Sequence, residues 1–192
     1  AHPHIGTDVL KGIVVSIRKR IEALGGQVLF RTSVMGFRQK NGRVTAVRTA
    51  SGVLPCELAV LAIGHSARDT FEQLHRQGVP MQAKPFSVGV RIEHRQETID
   101  RGLYGRYTGT PGLPPGEYFL SRRTGDRGCY SFCMCPGGTV VAAASEEGMV
   151  VTNGMSLHAR DGVNANAALA VSVTPDDFAD AGPLAGVDFQ RK

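Results

Sequence analysis

Three of the four cysteines, Cys129, Cys133 and Cys135, fall within seven residues, and Cys133-Met134-Cys135 runs straight into Pro136-Gly137-Gly138. Two thiols one residue apart share a face of an extended strand. A redox pair, or a thiol facing a flavin, is one chemistry open to them, and Cys133 and Cys135 are candidate catalytic groups on that basis. Cysteine is also among the residue types most often buried for packing alone, so structural cysteine is the other reading. A zinc site needs further thiolates or imidazoles at ligand spacing, and the sequence has no such second pair. No metal site is expected. The Pro136-Gly137-Gly138 corner either lets backbone approach a ligand or simply turns the chain between two strands.

A second cluster surrounds His65. Leu58-Ala59-Val60-Leu61-Ala62-Ile63 is apolar throughout, breaks at Gly64, and is followed by Ser66-Ala67-Arg68-Asp69 at capping-box spacing. The pattern predicts a strand over 58–63 buried on both faces, as in a parallel sheet, and a helix over 66–77. A strand that ends in glycine and feeds a helix N-terminus offers free backbone N–H groups, the usual seat of a phosphate-bearing cofactor. Gly64, His65 and Ser66 are therefore cofactor-contact candidates, with a plain turn and a serine cap as the alternative. The His65 ring sits where it can reach a ligand, which makes it a third catalytic candidate beside the reading of a surface histidine. No G-x-G-x-x-G or G-x-x-x-x-G-K-[ST] occurs, so the chain lacks its own pyrophosphate-binding fingerprint.

Other polar groups are less specific. Arg91 and Glu93 share a face of one expected strand, with His94 beside them; an anion clamp and a cross-strand ion pair both fit. Ser145-Glu146-Glu147-Gly148 and Asn153-Gly154-Met155-Ser156 have the composition of turns that line sites, or of ordinary connections. No Ser-His-Asp or paired-carboxylate arrangement can be assigned by spacing.

The elements that must position these groups follow from periodicity. Asp8 can cap a helix with apolar residues at Leu10, Ile13, Val14, Ile17, Ile21 and Leu24, stopped by Gly25-Gly26. A strand is expected over 27–31. Three short antiparallel strands follow, 34–39, 43–49 and 53–54, joined at Asn41-Gly42 and Ser51-Gly52, of which Asn-Gly is the strongest hairpin signal. Past Pro80 the character changes, and a domain boundary is placed near residues 80–85. Strands are expected at 85–94, 117–122, 128–134, 139–144 and 167–173, with a short helix at 96–101. Residues 108–117 and 146–166 read as loops.

The composition narrows the class. With 192 residues and 42% apolar content the chain can build one domain or two small ones. No apolar run reaches 18 residues and no signal-peptide pattern opens the sequence, so no membrane is expected. Few, unevenly placed cysteines and no glycosylation sequon point to a reducing, cytoplasmic setting. The net charge is +5, which fits an anionic partner or a solvated basic surface. A nucleic-acid partner is not expected, because twelve aromatic residues (eight Phe, four Tyr) are not interleaved with a basic strip. The chain opens at Ala1 rather than Met and ends at Arg191-Lys192, and an internal piece of a longer protein is expected.

Longer strings carry a resemblance. HIGTDVL (4–10), LAIGHSARDTFEQL (61–74), GVPMQAKPFSVGVRIEH (78–94), YSFCMCPGGTVVAAASEEG (130–148), VVTNGMS (150–156) and PLAGVDFQRK (183–192) resemble a bacterial family of FAD-dependent, NAD/FAD-utilising dehydrogenases related to glutathione-reductase-type flavoproteins. The resemblance implies a partial FAD/NAD(P)-binding parallel sheet with a β-meander over 1–80. A mixed, mainly antiparallel substrate or flavin-covering domain, loop-rich toward its C-terminus, would follow over 81–192. By the same resemblance Ala62-Ile63-Gly64 corresponds to the family's middle FAD-contact turn, and Val34 to a position whose backbone meets the adenine. Gly137, Gly138 and Asn153 fall on the flavin or substrate side. The implied activity is that of a flavoprotein oxidoreductase acting on a small molecule, with FAD held by the full-length parent rather than by this chain, and with NAD(P)H as a co-substrate. Two other functions fit the residues: a nucleic-acid-associated flavoprotein, and a non-catalytic thiol-based redox sensor or scaffold using Cys133 and Cys135.

Overall fold

Asn41 and Gly42 both adopt positive φ, 52° and 74°, the backbone that a two-residue type I′ turn requires and that matches the twist of the strands it joins. In the computed structural model they connect β1 (Val34–Lys40) to β2 (Arg43–Thr49), which pairs in turn with β3 (Gly52–Pro55). This is the expected meander. The structure describes residues 3–180 and 182–191; Ala1 and Lys192, the chain ends noted above, lie outside the described residues.

Contacts divide the chain into two units. One joins the N-terminal residues up to Gly25 with Pro85–Thr174, and the other joins Gly26–Lys84 with the residues from Pro175 onward. In the second unit the meander packs against α2 (Arg68–Arg76), whose Leu74 is buried and whose Gln73 side chain donates to the Met35 carbonyl. A short C-terminal helix, α4 (Ala185–Arg191), closes on the same unit. Arg68 donates to Gln190, and the rings of Phe178 and Phe189 lie 5.6 Å apart.

Two expectations for this unit are corrected. Residues 27–31 form no strand, and neither does 58–63. The second run is extended but bare, with Val60 81% exposed and Leu58 78%. A strand covered on both faces needs strands beside it and helices above and below. Among the described residues the sheet of this unit is the three-stranded meander β1-β2-β3, and 58–63 pairs with none of its strands. Consequently every strand pairing among the described residues is antiparallel, and the parallel sheet is not present. Ser66 also does not cap α2. The cap is Ala67, and the Ser66 hydroxyl instead meets His65 Nδ1 at 2.9 Å.

The first unit is built on β4 (Phe86–Arg95), β5 (Ser121–Thr124), β6 (Arg127–Cys135) and β9 (Asn164–Val173), in the order β4-β9-β6-β5. A separate hairpin pairs β7 (Thr139–Ala142) with β8 (Thr152–Met155), the latter inside the segment expected to be loop. β9 is the central strand and carries most of the core through small side chains, Ala165, Ala167, Ala170 and Val173. Small residues allow close strand approach: a Cβ on Gly89 of β4 would run into the Leu169 carbonyl of β9. α3 (Gln96–Tyr104) follows β4 directly.

α1 (Thr7–Ala23) begins at Gly6 rather than at Asp8. Asp8 lies in the first turn, where its Oδ1 accepts the His158 N–H at 2.9 Å and Thr7 N donates to the Ser156 carbonyl. The apolar stripe of α1 has no buried residue. No helix among the described residues is long and apolar enough to cross a membrane. The chain is thus a mixed α/β protein with antiparallel sheets.

Candidate functional site

The most enclosed polar group in the first unit is Asn166, fully buried in the central strand. Its neighbours across the ladder are Cys135 on β6 and Glu93 on β4. Arg91, two residues before Glu93 and on the same face, reaches back across the sheet. Its Nη1 donates to Asn166 Oδ1 at 2.7 Å and lies 3.3 Å from the Cys133 carbonyl. The cross-strand partners are amides: Arg91 meets Asn166, and Glu93 accepts from Asn164. Two donors of this cluster, Arg91 Nε and Asn166 Nδ2, are buried without a partner among the described residues. Buried donors left unmade cost about 1–3 kcal/mol each.

The cysteines meet this cluster at the end of β6. Pairing with β9 is regular to Phe132, slips, and resumes at Cys135. Cys133 sits in the slip with φ 49°, a left-handed backbone that a non-glycine residue rarely adopts. The two sulfurs lie 3.8 Å apart, Cys133 exposed and Cys135 buried. Burial, reinforced by the neighbouring Cys133, pushes the Cys135 thiol up to about 11, against a smaller opposing pull from Arg91. A Cβ on Gly154 of β8 would meet Asn166 Oδ1, Arg91 Nη1 and Cys135 Sγ, so glycine there is what lets the hairpin close over the cluster.

The Pro136-Gly137-Gly138 corner is fixed by Gln96, a residue that sequence reasoning missed. Its buried amide accepts Gly137 N–H at 2.9 Å and donates to the Gly116 carbonyl and to Asp100. Asp100 in turn accepts the Gly116 N–H at 2.6 Å. One amide therefore ties the corner, α3 and the Gly/Pro-rich loop together. The missing Cβ atoms of Gly137 and Gly138 face the chain's own backbone, at Arg160 and Met155. That close packing leaves no room for a Cβ at either position.

Cys133 and Cys135 are thus brought together with Arg91, Asn166 and Gly154. Asn153 is exposed, with its Oδ1 turned onto the Gly154 N–H. Val34, Ala62, Gly64, His65 and Ser66 all belong to the other unit. Val34 opens β1, and residues 62–66 are exposed in the segment leading to α2. Gly64 has φ 67° and open space where a Cβ would stand. In that unit a cavity of about 100 Å³ is lined by Arg68, Glu72, Leu184 and Val187 among others, too small for a dinucleotide. A trough of about 390 Å³ follows Ile13, Ile17, Ile21 and Leu24 on the bare stripe of α1. Among the described residues no group of three or more His, Cys, Asp or Glu side chains is placed to hold a metal ion.

Asn166 carried a signal that could have been weighed: an amide inside Asn164-Ala-Asn-Ala-Ala-Leu-Ala, where a strand otherwise places small apolar residues. Gln96 carried none.

Comparison with known proteins adds two findings. A family model described as FAD-dependent protein, C-terminal domain-like, matches residues 85–192. A protein of Clostridium beijerinckii with the printed name "Uncharacterized protein" is 52% identical over 190 residues, which is 98% of this chain and 36% of that relative. The chain spans about a third of the length of the relative it matches.

Proposed function

The chain belongs to the FAD-dependent protein, C-terminal domain-like family, and from that premise we propose that it is the flavin-covering part of a longer FAD-dependent oxidoreductase, a dehydrogenase acting on a small molecule. The observation that carries the reading is the family match over 85–192, the stretch that contains the Arg91–Asn166–Cys135 cluster. Flavin, when bound, supplies the hydride or electron transfer; the protein binds, orients and tunes it.

The cluster suits that role chemically. Arg91 Nε and Asn166 Nδ2 are buried donors awaiting acceptors, and the polar edge of a flavin ring carries acceptor oxygens and nitrogens. Arg91 would also supply fixed positive charge to an anionic flavin or substrate. Gln96 holds the adjoining corner rigid. Residues 1–80 are then the partial FAD-binding part and 81–192 the covering part, with Val34, Ala62, Gly64, His65 and Ser66 contacting the nucleotide once a pyrophosphate cradle from elsewhere in the protein secures it. A reduced nicotinamide is the electron source this reading favours, in a cytoplasmic setting.

The test is spectroscopic. The intact protein should purify with the two-banded absorbance of bound flavin, and the 192-residue chain alone should be colourless. Stoichiometric flavin on the isolated chain would overturn the assignment of the cradle to elsewhere. An intact protein that takes up no added FAD would overturn the whole reading.

A further inference from the structure

We propose that Cys133 and Cys135 form a second redox centre, a dithiol that closes reversibly to an intrastrand disulfide by exchange with small thiols and disulfides. In a regular strand, residues two apart are separated by about 6.6–6.8 Å, at the far limit for a disulfide. This strand is not regular there. The slip between Phe132 and Cys135 and the left-handed Cys133 backbone kink the chain at the pair, and the sulfurs already stand 3.8 Å apart. Bond formation asks for a further approach of less than about 2 Å. The two ends differ in freedom. Cys135 is held by its ladder partner Asn166 and by the Gln96-bound corner that follows it. Cys133 lies outside the ladder and is exposed, so it is the side that moves.

The same difference orders the chemistry. Cys133, as thiolate, attacks one sulfur of a disulfide RSSR and expels RS⁻, which takes a proton from solvent. Cys135 then loses its proton to water and attacks the Cys133 sulfur, forming the protein disulfide and releasing the second RSH. Two protein thiols give up two electrons and two protons, and RSSR becomes two RSH. An excess of RSH reverses both steps. Arg91 lies beside Cys135 and holds the Cys133 carbonyl, so its charge favours the resolving thiolate as it forms. The left-handed backbone at Cys133 is of the kind found at functional sites. Cys129 is exposed one strand-turn away in the regular part of β6, opposite Val171, and Cys56 belongs to the other unit.

The test reads mass rather than colour, so it stands apart from flavin binding. Trypsin releases Cys129, Cys133 and Cys135 on one peptide, 128–160. The intact protein carrying Cys129→Ser is equilibrated with oxidised glutathione, quenched in acid, alkylated unfolded and digested. The expected peptide has lost two hydrogens, takes no alkyl group and no glutathione, and regains two alkylation sites after dithiothreitol. Cys135→Ser should instead trap one glutathione on Cys133. A wild-type peptide that keeps glutathione on Cys133 with Cys135 still alkylatable overturns the proposal, as does one in which neither thiol reacts. If Cys129→Ser fails to fold, fragment-ion mapping on the unsubstituted protein locates the same bond; linkage through Cys129 overturns it equally.

Discussion

Asn166 concentrates the energetics of the first unit because it is the polar side chain that the sheet buries completely. Its Oδ1 is the acceptor that Arg91 holds at 2.7 Å, and a hydrogen bond to a charged group is worth about 1.5–3 kcal/mol net. Asn166→Ala should therefore lower unfolding free energy by about 2–3 kcal/mol, read as a shift in the urea midpoint with unchanged slope. A loss under about 0.5 kcal/mol would mean the guanidinium finds solvent easily. Cys135 gives the unit a pH dependence of definite sign. Burial first, and Cys133 second, raise this thiol from its ordinary 9.0 to about 11, so the unfolded chain releases the proton earlier than the folded one. Stability is then complete below pH 9 and falls as pH rises from 9 to 11, by up to about 2–3 kcal/mol. Denaturation series at pH 8 and pH 10.5 should show the drop in the reduced protein and a smaller one in Cys135→Ala. At this scale the sequence was half legible. The Cys133-Met134-Cys135 string is plain in the sequence, but its partner Asn166 reads as loop because Asn, Asp and Gly crowd the preceding twenty residues.

Among the elements, legibility followed how locally each is specified. The meander could be read residue by residue because Asn41-Gly42 dictates its own turn and register. β4 and β6 were visible through their composition. β8 was not, since Thr152-Asn153-Gly154-Met155 has the residues of a turn and becomes a strand only by lying against β7. Its glycine is demanded by the cluster beneath it. The runs 27–31 and 58–63 failed for the opposite reason: the apolar pattern of 58–63 asks for cover on both faces and Val28 and Phe30 ask for it on one, and among the described residues neither run pairs with a strand. Two substitutions test how elements are tied. Gly89→Ala sets a methyl against the Leu169 carbonyl, backbone that cannot yield without parting β4 from β9. It should cost about 3 kcal/mol, at the upper end for overpacking, measured by thermal or chemical denaturation. Gln96→Ala strips partners from Gly137 N–H and the Gly116 carbonyl. About 3 kcal/mol is expected from two buried groups left unmade. Its signature is local: amide exchange at 137–138 and 116 should accelerate well beyond that of β9. Uniform acceleration everywhere would mean that Gln96 is simply part of the core and not a tether.

For the molecule as a whole, the informative quantity is apolar surface that folding leaves in water. Val14, Ile17 and Ile21 project from α1 at helical spacing, and all are exposed; in the other unit Leu58, Val60 and Leu61 are equally bare. Single exposed aliphatics are ordinary, whereas continuous stripes mark a surface that is covered in use. The chain covers 36% of a relative to which it is 52% identical over 190 residues, and under the function proposed above the remainder of a longer protein is the cover. A stripe with no partner contributes nothing to the isolated chain and several kcal/mol to the assembled protein, at roughly 25 cal/mol per Å² of apolar surface removed from water. Ile17→Lys with Ile21→Lys should then act oppositely in two settings. In the 192-residue chain it should leave the urea midpoint within about 0.5 kcal/mol of the parent, as surface changes do, and reduce self-association by sedimentation. In the intact protein the same pair should lower the melting temperature by several degrees and weaken flavin retention. Equal tolerance in both settings would show that α1 faces water throughout, and that its apolar stripe has no part in joining this chain to the rest of a flavoprotein.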